Sequence, residues 1–196
     1  MDIILKLIKN RCYKYNQRDD IYWKDREFVM NALNFNGSCL VYVSKELQND
    51  KKIVLEAVKN NGLTLDYLID EFKNDEEIVL EALKNDGWAL YYASKELRAN
   101  KKFILKSVKN NGWAILYTYN QHKDDKEIII EAVKNSGFVL EHLPSKFRND
   151  KKIIMIALKN IHFVDYIIFK KNNKINCNIF LYPRLTKDFK LVLQTL

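Results

Sequence analysis

"NDEEIVLEALKNDG", residues 74–87, is preceded by "NDKKIVLEAVKNNG" at 49–62 and followed by "ANKKFILKSVKNNG" at 99–112. One phrase thus recurs at a constant interval of twenty-five residues, and internal repetition of this length is the mark of stacked supersecondary units. The first apolar residue of each copy falls at Ile3, Phe28, Ile53, Ile78, Phe103, Ile128 and Ile153, with no insertion between copies. A small residue recurs at Ala32, Ala57, Ala82, Ser107, Ala132 and Ala157. The five glycines of the chain, Gly37, Gly62, Gly87, Gly112 and Gly137, all hold one repeat position, so that position needs glycine for its backbone.

Within a unit, Ile78, Val79, Ala82 and Leu83 follow the 3.6-residue period of one helical face, with Glu77, Glu81 and Lys84 opposite. The spacing predicts a helix of about ten residues. Asn74 and Glu77 have the form of a capping box, and Gly87 is expected to stop the helix in the left-handed conformation. The second half of the unit, "WALYYASKELR" at 88–98, carries Leu90, Ala93 and Leu97 at i, i+3 and i+7 and predicts a second helix. Pro144 predicts that this helix is split in at least one unit. The preceding small or modest residues, Cys39, Thr64, Ala89, Ala114 and Val139, are expected to let backbones approach closely. Leucine-rich repeats run to similar lengths, but their strand should alternate, and the apolar pairs at 78/79 and 82/83 do not. The units also alternate: those opening at Lys51, Lys101 and Lys151 start "KK", and the others start "RE", "EE" and "KE". The predicted fold is therefore an all-α helical-repeat solenoid of two-helix units with a fifty-residue paired superperiod.

The phrases "NDKKIVLEAVKNNG" and "WALYYASKELRAN" resemble the repeat family known as domain of unknown function 4116, over about Asp2 to Asn160. The resemblance implies an all-helical tandem array and brings no catalytic residue or ligand with it. The chain departs from the pattern at Ile161 and His162, where the glycine turn is missing, and beyond Lys171. The expected division is an N-terminal capping partial repeat at 1–23, an array at 24–160, and a degenerate repeat with a C-terminal cap at 161–196. Solenoids need such caps because a terminal unit has one unpaired apolar face.

Few glycines and prolines among 196 residues, with 47% apolar content, suit helices on short connections and do not suit an all-β chain. Cys12, Cys39 and Cys177 are odd in number and far apart, which favours buried or idle thiols in a reducing cell interior. The opening "MDIILKLIKNRC" reads neither as a signal peptide nor as a membrane span, and no apolar run is long enough to cross a bilayer. The expectation is an intracellular, cytoplasmic protein, monomeric by default, with no membrane partner.

A formal net charge of +8 raises nucleic acid as a partner. Residues 24–159, however, hold 22 basic against 20 acidic side chains, so the excess lies mainly at the ends. A lysine column ends the first helices at Lys59, Lys84, Lys109, Lys134 and Lys159, and Lys102, Lys106 and Lys109 share one helical face. These are the candidate phosphate contacts. Against them, lysine in a last turn is what any helix dipole favours, and glutamates hold the equivalent faces of neighbouring units. Tyr42, Tyr67, Tyr92 and Tyr117 form a second column, with Trp88, Trp113, Phe138 and Phe163 at another position, and core packing is the expected role of both.

His122, His142 and His162 have no partners at ligand spacing, and no nucleophile, zinc or phosphate-loop motif is present. The sequence therefore predicts no enzyme, no metal and no cofactor. It predicts a protein-interaction module, an effector or adaptor, whose unidentified protein partner meets the varied positions Val41, Asp66, Tyr91, Leu116 and Glu141. Tyr91 and Leu116, with Tyr92 and Tyr117, are the candidate contacts. Nucleic-acid binding through the lysines is the alternative.

Overall fold

The computed structural model describes residues 21–159, and every regular element among them is helical. Most of the two expected caps, at 1–20 and 160–196, lies outside the described residues. Six long helices appear at the predicted period: α1 (Arg26–Phe35), α2 (Lys51–Asn60), α3 (Glu76–Asn85), α4 (Lys101–Asn110), α5 (Lys126–Asn135) and α6 (Lys151–Lys159). Each packs on the next. Their apolar faces are fully enclosed: Ile53, Val54, Ala57 and Val58 on α2, Ile78, Val79, Ala82 and Leu83 on α3. Burying four such side chains per unit supplies several kcal/mol at about 25 cal/mol per Å² of apolar surface.

Three local expectations are corrected. The helix start lies one residue later than the capping box suggested: Asp75 is the N-cap and its carboxylate accepts from the N–H groups of Glu77 and Ile78. Asp50 and Asp150 do the same for α2 and α6. A carboxylate there also meets the positive end of the helix dipole, which asparagine at 74 could not.

The glycines are not left-handed caps, since none of those described has positive φ. They are points of close approach. A Cβ on Gly62 would stand 2.2 Å from the carbonyl oxygen of Ala82, and one on Gly37 2.1 Å from that of Ala57. At Gly37, Gly62 and Gly112 the glycine and the small residue of the next unit are thus two halves of one contact, whereas Gly87 lies against Trp113 and Ala114.

The second helix is broken in every unit, not only beside Pro144. A 3₁₀ turn, as at Gly37–Tyr42, Gly62–Tyr67, Gly112–Tyr117 and Gly137–His142, is followed by two residues of extended backbone and a short α-helix. In the third unit the first piece is a single α-turn, Ala89–Tyr92. The first extended residues, Val43, Leu68, Ala93, Thr118 and Leu143, turn their side chains inward and are buried. Proline is tolerated at 144 because that position starts a new short helix with φ −53°, close to Ser44 at −55° and Ser94 at −57°. Cys39 is fully buried and disulfide-bonded, which corrects the expectation of an idle thiol at that position.

Asparagines staple the units together. Asn60 accepts from the Gly37 N–H and donates to the Asn34 carbonyl, and Asn135 does the same with Gly112 and Lys109. Charged side chains repeat the link outside: Arg26 pairs with Asp50, Lys51 with Asp75, Lys101 with Asp125 and Lys126 with Asp150. The superperiod is visible here. Lys51 and Lys101 each fork onto a second acid, Glu77 and Glu127, whereas Arg26 and Lys126 face units that carry Lys52 and Lys152 instead.

One joint differs. Where α4 meets α3, Asn110 donates to the Leu80 carbonyl, 30 residues back, instead of the 26 spanned by Asn60 and Asn135. Lys106 pairs with Glu76, also 30 residues away. The long helices are therefore offset there by four residues, about one turn. The sequence carries the trace of it: Glu76 stands where the other units have a base, and the cap of α4 is Asn100 rather than aspartate.

Candidate functional site

The repeat exposes two tiers, the outer faces of the long helices and the row of 3₁₀ turns and short helices. The lysine candidates lie on the first. Lys84 pairs with Glu81 in its own helix, Lys134 with Glu131, and Lys106 with Glu76 at 2.7 Å. Lys109 approaches Glu131 at 4.0 Å. Of the face formed by Lys102, Lys106 and Lys109, all three are exposed and only Lys102 makes no ion pair. The Arg26 guanidinium, by its hydrogen bond, holds the Asp50 carboxyl at about 2, well below its usual range. Asp125 and Asp150 are lowered for the same reason by Lys101 and Lys126. Burial pushes Asp75 up, but Lys51 and the Ile78 N–H outweigh it and the net direction is also down. The capping carboxylates and most of the candidate lysines of this tier are thus paired, Lys102 excepted.

The aromatic columns lie on the second tier, and the expectation that they are core is corrected for Tyr67, Trp88 and Trp113. Tyr67 is 66% exposed, Tyr91 56% and Trp88 47%. Tyr42, Tyr92 and Tyr117 are half-buried, with one side against the core. Phe163 lies outside the described residues. The side chains of successive units touch edge to edge or face to face. Trp88 stacks on Tyr117 with centroids 6.0 Å apart and planes 6° from parallel, and Trp113 leans on His142 at 5.4 Å. Tyr91 meets Tyr92 edge-on at 5.4 Å. The Arg98 guanidinium lies over Tyr91 at 5.8 Å and over Tyr119 at 5.1 Å, with its Nε donating to the Ala93 carbonyl.

Of the candidate contacts, the structure brings Tyr91, Tyr92 and Tyr117 into this row. Leu116 is half-buried against the core, so its role is mainly packing. Sequence reasoning missed Trp88, Tyr67 and Arg98 as surface features. The signal available was the 3₁₀ turn: six residues at three per turn turn a different face outward from that of an α-helix.

Acidic side chains in this tier are not all paired: Asp124 meets Lys146 at 2.8 Å, but others have no such partner among the described residues. Asp66 and Asp86 make no ion pair, and Asp86 only caps its own turn through the Trp88 N–H at 2.7 Å. The Tyr92 hydroxyl is pushed up by burial first, and then by Asp66, Tyr67, Tyr91 and Asp86. His122 takes a core position that Phe72, Leu97 and Phe147 fill in other units, and its Nε2 is buried without a hydrogen bond. Among the described residues no three histidines, cysteines or acids gather as metal ligands, and no helix is long and apolar enough to cross a membrane.

A family model described as "Domain of unknown function (DUF4116)" matches residues 1–48, 25–73, 50–98, 75–123, 100–148 and 125–170 in overlapping copies. No curated protein and no solved structure matches the chain.

Proposed function

This chain belongs to the DUF4116 repeat family, and from that premise we propose that it is a non-catalytic module that binds another protein through its tier of short helices. The observation that carries the reading is the aromatic row: large rings left half in solvent at Tyr67, Trp88 and Tyr91, on a scaffold whose other tier pairs its capping carboxylates. Exposed aromatics on a rigid surface are the residues that dominate protein interfaces, and solenoids vary such positions on a constant core. Contact through Tyr91, Tyr92 and Tyr117 follows from the same row.

The test is affinity capture with the whole chain and with the Trp88→Ala, Tyr91→Ala double variant. The expected outcome is loss of specific partners from the variant and their retention by Lys102→Gln, Lys106→Gln. The reverse pattern would support the second reading, nucleic acid held by the α4 lysines, for which exposed, unpaired Lys102 is the favouring observation. In that case bound RNA or DNA should fall away steeply with added salt.

A further inference from the structure

We infer that the aromatic row takes a cationic protein segment, with arginine side chains laid on the rings of Tyr67, Trp88 and Tyr91 and countered by Asp66 and Asp86. The inference rests on the proposed reading of this tier as the binding face and adds the chemistry of the partner. Three independent features point the same way. First, Tyr67, Trp88 and Tyr91 leave about half their surface to solvent, and the parallel Trp88–Tyr117 stack ties the row together across two units. A guanidinium is planar, weakly hydrated and stacks well on such faces. Second, the chain already uses this mode on itself: Arg98 lies over Tyr91 and Tyr119, which fixes one side of Tyr91 while the ring remains more than half exposed. Third, the local charge is complementary. Asp86 accepts from the Trp88 N–H at 2.7 Å and Asp66 directly precedes Tyr67, so both stand beside the rings, and among the described residues neither makes an ion pair. By contrast, Asp50, Asp75, Asp125 and Asp150 on the other tier are each paired. Acids left without partners beside uncovered rings would repel a phosphate backbone and attract a base.

The experiment titrates the full chain with a dye-labelled arginine–glycine repeat peptide, with its lysine and citrulline counterparts, and with a single-stranded RNA oligonucleotide, following fluorescence anisotropy. The arginine peptide should bind saturably, the lysine peptide more weakly and the citrulline peptide, which keeps the shape without the charge, least. Tyr91→Leu and Trp88→Leu, both at exposed positions, should each weaken the arginine peptide about threefold, as for loss of one exposed cation–π contact. Asp66→Asn with Asp86→Asn should weaken it and flatten its salt dependence. Equal binding of citrulline and arginine peptides would overturn the cationic partner while leaving the protein-binding face intact. Unchanged affinity in all the variants would overturn the site, and if capture were also unchanged the binding face would fall with it. RNA that binds more tightly than the arginine peptide and is lost in Trp88→Leu would overturn it in favour of base stacking.

Discussion

Gly62 has a backbone that alanine could adopt, since no described residue has positive φ. At such a site glycine to alanine normally stabilises by about 0.4–1 kcal/mol through the unfolded chain. Here the sign should reverse. The added methyl would stand 2.2 Å from the Ala82 carbonyl oxygen, a backbone atom at the centre of α3 that cannot step aside alone. Gly62→Ala is expected to destabilise the protein by about 1–3 kcal/mol, the cost of overpacking a close contact, read as a lowered urea midpoint by circular dichroism. The regular spacing of the glycines made their importance legible, but not its cause, because a left-handed cap and a close backbone approach both call for the same missing Cβ. The cap itself was misplaced by one residue for a similar reason: Asn74 and Asp75 are both good N-caps, and only the geometry shows which oxygen reaches the Ile78 N–H.

Long helices were legible because their four-residue apolar clusters and charged outer faces fit only one period. The short ones were misread. Leu90, Ala93 and Leu97 are all buried, as the stripe required, yet spacings of three and four arise equally from a continuous helix and from a 3₁₀ turn, two extended residues and a new helix start. The aromatic surface went unseen with them, since which rings face outward depends on that break. At this scale the ion-pair ladder also makes a prediction about acid. The Asp50 carboxyl is held down at about 2 in the folded protein, below its ordinary 3.8, by its hydrogen bond from Arg26. A depressed carboxylate contributes stability that is complete above its unfolded pKa and is lost as pH falls through the folded one. Asp75, Asp125 and Asp150 share the direction. The melting temperature should therefore hold down to about pH 4 and fall from there towards pH 2. Asp50→Asn, which keeps a capping oxygen but cannot titrate, should lower the melting temperature at neutral pH and shrink the difference between about pH 5 and pH 2. An unchanged difference would mean that the Arg26 pair contributes nothing.

Among the described residues the main contacts run within a unit and between neighbouring units, so each joint is a separate element of stability. The joint of α3 and α4 can be tested on its own. Glu76→Lys with Asn100→Asp recreates the side chains that pair at the regular joints, but the one-turn offset keeps them apart. A double-mutant cycle on that pair should give a coupling near zero, while Lys51→Gln with Asp75→Asn should give a measurable favourable coupling. Comparable coupling at both would mean that charge, not packing, sets the offset. No reading of the letters anticipated this joint, although Glu76 and Asn100 break the charge pattern together, because a repeat of constant length conceals a slide of one helix along another.

That seam also decides how the array can be lengthened or shortened. A fifty-residue block excised or duplicated on one side meets its new neighbour through matching acid and base, and the copy continues the stack. A graft that carries the cut through residues 76–100 sets glutamate and asparagine against partners spaced for another alignment. Interchangeable bricks thus exist within each half, and the row of rings, which runs across the seam at Trp88 and Tyr117, is a strip that both halves build jointly.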